Sequence, residues 1–122
     1  MSAGDDALIA EVLTQIGGSV GVRSSLEHLS DHLRGEPVVV AATGFLDGHS
    51  GLVVITDRRL IFADGPKARI DVALASIVSF RARRGLLACD LHVDLGDQRA
   101  VIKQVHPKAQ LRKLGRRLAG SA

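Results

Sequence analysis

The stretch that decides the fold runs from Gly51 to Phe62 and reads GLVVITDRRLIF. It holds two short apolar runs, the second continuing to Ala63, on either side of the polar tetrapeptide Thr56–Arg59. This pattern predicts two antiparallel strands, 51–55 and 60–63, joined by a tight turn. The fold is therefore expected to be organised around a β-hairpin.

Further strand signals lie on both sides of this hairpin. The run from Val38 to Thr43 is β-rich, and a loop built on Asp47-Gly48 is predicted over 44–50. After the hairpin, short strands are predicted near 68–72, 77–83, 86–95 and 99–105. Residues 87–95 alternate between apolar and polar, which is typical of a half-buried antiparallel strand. The sequence thus predicts about seven strands.

Helical periodicity occurs at the two ends of the chain. Apolar residues recur every three to four positions over 5–16 and 24–34, and glycines follow both segments. A third amphipathic helix is predicted over about 107–119, with Pro107 at its first position. The order helix, helix, seven strands, helix predicts an α+β fold, in which the last helix closes a barrel or sandwich.

Composition narrows the class of protein. The 122 residues fall in the range of one domain, and the single cysteine, Cys89, excludes a disulfide framework. The acidic start lacks an apolar run, so a cytoplasmic location is expected, with peripheral membrane association as an alternative. Three Phe and no Trp or Tyr argue against proteins that stack single-stranded bases on aromatic side chains.

Charge is distributed unevenly along the chain. Residues 1–36 carry six acidic and two basic side chains, a net charge of −4. The other fourteen basic and seven acidic side chains give residues 37–122 a net charge of +7. Two interpretations stay open: the two parts pack on each other, or the basic part binds an anionic partner.

The hairpin at 51–62 resembles the signature hairpin of bacterial pleckstrin-homology-like (PH-like) domains, notably the YokE-like type. Gly35-Glu36 before the first strand, the strand at 77–80 and the single C-terminal helix also agree with that group. The resemblance implies a PH-like barrel of two near-orthogonal antiparallel sheets capped by a helix over 35–119. Residues 1–34 would then be an N-terminal helical segment that packs on this domain or on a partner.

PH-like domains are scaffolds that bind lipids, peptides or copies of themselves, so the resemblance implies a binding module. Phosphoinositide-binding members place a basic motif along the first two strands and their loop. The corresponding residues here, 43–50, contain no Lys or Arg. The usual inositol-phosphate mode is therefore not expected.

Basic and β-rich segments supply the candidate partner-binding residues. Arg58 and Arg59 at the hairpin turn form a fork suited to carboxylate or phosphate; alternatively they are solvated, with one of them paired to Asp57 or Asp71. Later strands and the last helix predict a basic surface, and a peptide could add to a strand edge near 76–82. The predicted set is Arg58, Arg59, Lys67, Arg69, Ile77, Val78, Phe80, Arg81, Arg83, Arg112 and Arg116.

The hairpin strands are apolar on both faces, whereas a barrel needs only one apolar face. A covering layer is therefore expected on the other face. We expect the N-terminal helices, residues 5–34, to dock on this face within one chain or between the chains of a homodimer. A second copy of the chain or a partner protein is the alternative cover. The residues predicted to take part are Leu8, Val12, Ile16, Val53, Ile55 and Ile61.

The sequence contains no recognisable constellation for catalysis or for a cofactor. His28 and His32 share a helix face but lack an evident third metal ligand. The predicted function is a non-enzymatic module for protein or peptide interaction or self-association. Peripheral binding to anionic phospholipid through a basic surface is the alternative, and no specific nucleic-acid partner is expected.

Overall fold

The computed structural model describes residues 36–65, 67–84 and 89–120, together with Val12, Thr14, His28, Leu29, His32 and Leu33. Residues 36–120, as far as described, form seven strands, a 3-10 turn at Leu74–Ser76 and one helix. These are β1 (Val38–Leu46), β2 (His49–Thr56), β3 (Arg59–Asp64), β4 (Lys67–Ala73), β5 (Ser79–Arg84), β6 (Cys89–Asp94), β7 (Arg99–His106) and α1 (Lys108–Gly120). The predicted antiparallel strands and C-terminal helix are thus confirmed.

The six described residues before Glu36 have helical backbone conformations. The bounds of the two predicted N-terminal helices, and with them Leu8 and Ile16, lie outside the described residues.

Hydrogen bonding joins the strands into one antiparallel sheet in the order β4-β3-β2-β1-β7-β6-β5. β1 is shared by both halves of this sheet, since it pairs with β2 and with β7. Its register with β7 shifts next to Gly44, where an added Cβ would lie 2.6 Å from Ile102 Cγ2. The missing side chain lets the two strands approach at this irregularity. Among the described residues, the strand order leaves β4 and β5 as the two sheet edges.

The turn between β1 and β2 is shorter than predicted. Leu46 pairs with His49, so only Asp47 and Gly48 connect the strands. Both have positive φ, 51° and 81°, which is the conformation of a two-residue hairpin turn that Asp-Gly adopts readily. The prediction of a loop over 44–50 is therefore wrong, because the strands continue to the Asp-Gly pair.

The inner face of the sheet forms the main core with α1. Alternate residues of the strands, among them Val53, Ile55 and Phe62, are buried with Leu111, Leu114 and Leu118 of the helix. The alternation predicted for β6 is confirmed, because Cys89, Leu91 and Val93 are buried there and the residues between them are partly exposed. The helix thus closes one side of the sheet.

The outer face carries a second apolar cluster. Ala41, Leu52, Val54 and Ile61 are buried together with Val12, Leu29 and Leu33. Ile61 therefore lies on the face for which it was predicted, whereas Val53 and Ile55 belong to the inner core. This corrects the prediction for those two residues: adjacent strand residues point to opposite faces, and Leu52 and Val54 occupy the outer positions.

Candidate functional site

The edge strand β5 and the helix α1 lie side by side. β5 ends the strand order of the sheet, and α1 packs chiefly against β1, β5, β6 and β7. An edge strand presents backbone N–H and C=O groups that the sheet itself does not use. The edge of β5 is thus a place where an extended segment could add and lie against the helix.

Every charged residue in β5 and α1 is basic, namely Arg81, Arg83, Arg84, Lys108, Arg112, Lys113, Arg116 and Arg117. The predicted residues Arg81, Arg83, Arg112 and Arg116 are all exposed. Exposed Lys113 joins them, although it was not among the predicted residues. The structure therefore places four of the predicted cations on two neighbouring elements.

Two small residues, Ala82 of β5 and Gly115 of α1, lie next to each other. A Cβ added to Gly115 would be 3.6 Å from the Cβ of Ala82, which is an ordinary van der Waals distance. Ala82 is nevertheless exposed, and Gly115 is partly exposed. Sequence reasoning missed this pair, although glycine inside a helix costs about 1 kcal/mol and signals a packing or functional reason.

The apolar residues predicted near this edge divide into two kinds. Ile77 and Phe80 are partly buried and pack against the inner core. Val78, which directly precedes β5, is 67% exposed, and its backbone N–H donates to the carbonyl of Asp94 at the end of β6. Val78 is thus the apolar side chain of this trio that a partner could cover.

The hairpin turn at 56–59 is held by an internal network. The hydroxyl of Thr56 donates to Glu36 Oε1 at 2.7 Å and accepts from the backbone N–H groups of Arg58 and Arg59. Arg59 Nη2 lies 2.6 Å from Glu36 Oε2, and its Nη1 lies 3.1 Å from Asp71 Oδ2. Arg59 therefore has two internal carboxylate partners, one of them the anticipated Asp71, whereas Arg58 is exposed.

This network shifts the pKa values of both partners. Burial raises the pKa of Glu36. Hydrogen bonds from Arg59 and Thr56, together with the charges of Arg59 and Arg58, lower this pKa by more than burial raises it, so the net pKa lies below its ordinary value. The hydrogen bond to Glu36 raises the pKa of Arg59. The ionised pair is thus the favoured state.

We expect Glu36→Gln to lower the free energy of unfolding at neutral pH by about 1–3 kcal/mol. The substitution removes the charged acceptor of a hydrogen bond from Arg59, which stays partly buried without that partner. The lowered pKa of Glu36 adds stability above its ordinary value of 4.5. That contribution is lost as pH falls through the folded pKa. Urea unfolding from pH 7 to pH 3 should therefore show a smaller acid-dependent loss in the variant.

The matched control is Asp97→Asn, which neutralises an exposed acidic residue between β6 and β7. It should leave both the stability at neutral pH and the acid-dependent loss nearly unchanged, as is usual for surface substitutions. If Glu36→Gln and Asp97→Asn behaved alike, the network would have no role in stability.

Lys67 and Arg69 lie on β4, at the opposite end of the strand order from β5. Arg69 Nε donates to Asp64 Oδ2 at 2.9 Å, and both side chains are less than one-third exposed. Lys67 is exposed near the start of the strand. The basic residues predicted to form one surface are therefore divided between the two edges of the sheet.

A comparison with protein families matches residues 34–118 to one family, described as bacterial PH domain. The chain belongs to the bacterial PH domain family. This confirms the resemblance read from the hairpin, and the seven antiparallel strands followed by one helix agree with it. PH-like domains generally act as non-catalytic binding modules.

A solved structure supports the same fold. The crystal structure of the C-terminal domain of an unknown protein from Leishmania infantum is similar to this PH domain with a TM-score of 0.60 and 15% sequence identity. The similarity covers 76% of this chain and 93% of the other. A comparison with curated proteins found no match.

The two histidines predicted on one helix face have different surroundings in this PH domain. His32 Nε2 lies 2.5 Å from Asp71 Oδ2, while His28 is exposed. Both line a cavity of about 270 Å³ between Leu29 and the β3–β4 hairpin.

Within the described residues no group of three or more His, Cys, Asp or Glu side chains could hold a metal ion. In the same part of the chain, none of the helices is sufficiently long and apolar to span a membrane.

Proposed function

We propose that this PH domain is a non-enzymatic module that binds an extended peptide along the edge of β5, beside α1. The observation that carries the proposal is the position of β5: it ends the sheet and packs beside a helix whose charged residues are all basic. Backbone hydrogen bonds at an edge supply affinity for any extended segment. The surrounding cations favour segments that carry acidic residues.

The local geometry at the β1–β2 turn supports a peptide rather than an inositol phosphate. That turn consists of Asp47 and Gly48, and residues 43–50 contain no Lys or Arg. An exposed carboxylate at the turn opposes the approach of a phosphate. The exposed cations Arg81, Arg83, Arg112 and Arg116 instead lie on the strand edge and the helix.

Binding to anionic phospholipid is the competing use of the same cations, and self-association is a further one. Binding to a membrane would depend mainly on the attraction between these cations and the anionic surface, and salt would weaken this binding strongly. A strand added to β5 would also form directional backbone hydrogen bonds, which salt screens much less. The salt dependence and the residues affected therefore separate these possibilities.

The test uses the full chain labelled with ¹⁵N and a pool of blocked seven-residue peptides made of four Glu and three Val in all orders. We expect amide shifts concentrated in β5 and α1. Flotation with phosphatidylserine–phosphatidylcholine vesicles at low and high salt forms the second arm. An absence of peptide-induced shifts, or shifts confined to β4, would overturn the proposal. Vesicle binding without peptide shifts would assign the surface to membranes instead.

A further inference from the structure

Resting on the proposed function, we infer that the peptide recognised at β5 alternates acidic and apolar residues. Its acidic side chains would face Arg81 and Arg83, and its apolar side chains would point to the other face of the sheet, against the side of α1 that carries Gly115. The two faces of β5 present different groups to an added strand.

The side chains of β5 alternate between cations and small or apolar groups. Phe80 packs toward the inner core, and Ala82 lies next to Gly115 of the helix. Arg81 and Arg83, one position away in each direction, therefore point to the outer face. There they lie in register with His92 and Asp90 of β6.

An added strand repeats this alternation residue by residue. Side chains directly opposite each other on neighbouring strands lie about 4.5–5.5 Å apart at Cβ and point to the same face. Peptide residues opposite Arg81 and Arg83 would thus share the outer face with two guanidinium groups. The peptide residue between them, opposite Ala82, would point toward α1.

The helix side of this edge suits an apolar side chain. Ala82 is exposed although it faces the helix, and Gly115 has no side chain to occupy the adjacent space. Positions 112, 115 and 119 follow one another along one helix face. This face therefore presents Arg112, then the bare backbone of Gly115, then exposed Ala119.

The two arginines differ in their outer-face neighbours. Arg81 lies in a cross-strand row with His92 and Val101, which contains no acidic residue. Arg83 lies opposite Asp90, whose Oδ1 also accepts from the backbone N–H of Gln104 at 3.3 Å. The carboxylate of Asp90 can therefore compete with a peptide carboxylate for Arg83, whereas the residue directly opposite Arg81 is His92.

The decisive comparison uses two blocked peptides of equal composition: one with Glu and Val alternating, the other with four Glu followed by three Val. Isothermal titration of the full chain should give at least about tenfold tighter binding for the alternating peptide, because only that order satisfies both faces. Equal binding by the two orders would overturn the inference and leave the proposed function standing. If neither peptide bound, both would fail.

Charge exchange provides the second arm. Arg81→Glu with Arg83→Glu should abolish the preference for the Glu–Val peptide and create a preference for an alternating Lys–Val peptide. Lys103→Glu, an exposed charge reversal on the outer face of β7, is the matched control and should leave the Glu–Val preference intact. If the double variant kept the original preference, the outer arginines would not select the acidic residues.

A third arm tests the helix side. Gly115→Ala places its Cβ at ordinary contact distance from Ala82, so the fold should be retained, while Gly115→Leu should fill the space. We expect Gly115→Leu to lower the affinity for the alternating peptide by about tenfold or more while leaving the circular dichroism spectrum unchanged. Gly115→Ala should lower this affinity less. Undiminished binding by Gly115→Leu would overturn the placement of the apolar side chain.

Discussion

Replacing Phe62 with alanine is expected to lower the free energy of unfolding by about 3–5 kcal/mol, the usual range for a fully buried phenylalanine. Phe62 is among the largest side chains that are completely buried, and it lies in the core cluster that includes α1. Its ring also lies across Gly51, where an added Cβ would be 2.9 Å from ring carbons. Alanine would leave a cavity that the paired strands β2, β3 and β4 cannot close easily.

The measurement is equilibrium unfolding in urea, where a lower midpoint with an unchanged slope indicates a loss of stability alone. Phe45→Ala is the matched control, because Phe45 lies on β1 with 39% of its surface exposed. The control should lose clearly less, about 1–2 kcal/mol, because part of its ring stays in contact with water in the folded chain and its removal leaves no enclosed cavity. Similar losses for the two variants would contradict the assignment of Phe62 to the core.

The hairpin was predictable from sequence because its signal is local. The apolar runs on either side of Thr56–Arg59 indicate strands, and the turn residues indicate the connection between them. Which face each strand residue occupies was not predictable by the same argument. With apolar residues at every position from Leu52 to Ile55, the period-two signal disappears, and the inner face is determined by packing against a helix more than fifty residues later.

The arrangement of the candidate site was likewise not predictable from local sequence signals. Individual cations such as Arg69 and Arg81 were recognisable as polar surface residues, but their division between two sheet edges depends on the strand order, which places β4 and β5 at opposite ends. The partner of Arg59 illustrates a further point. Asp71 was anticipated, whereas Glu36 was not, because the contact spans 23 residues and forms only when the start of β1 lies beside the hairpin turn.

Leu52→Asp is expected to lower the free energy of unfolding by roughly 3 kcal/mol or more, because a carboxylate would be buried without a partner. Leu52 is fully buried on the outer face of the sheet, in the cluster that contains Val12, Leu29 and Leu33. Val39→Asp is the matched control, since Val39 is 43% exposed on β1. It should cost less than about 1 kcal/mol, and a comparable loss would contradict the idea that the outer face is covered.

The same substitution tests whether the N-terminal segment covers this face within one chain, as the cluster of Leu29 with Leu52 indicates. Once Leu52→Asp has displaced the segment, Leu29→Asp has little further contact to disrupt, so the double variant should be much more stable than the sum of the two losses predicts. Light scattering should give the mass of one chain, and the unfolding midpoint should not depend on protein concentration. If the cover came from a second copy, the mass would double and the midpoint would rise with concentration. Additive losses with a monomeric mass would instead show that Leu29 and Leu52 are buried independently.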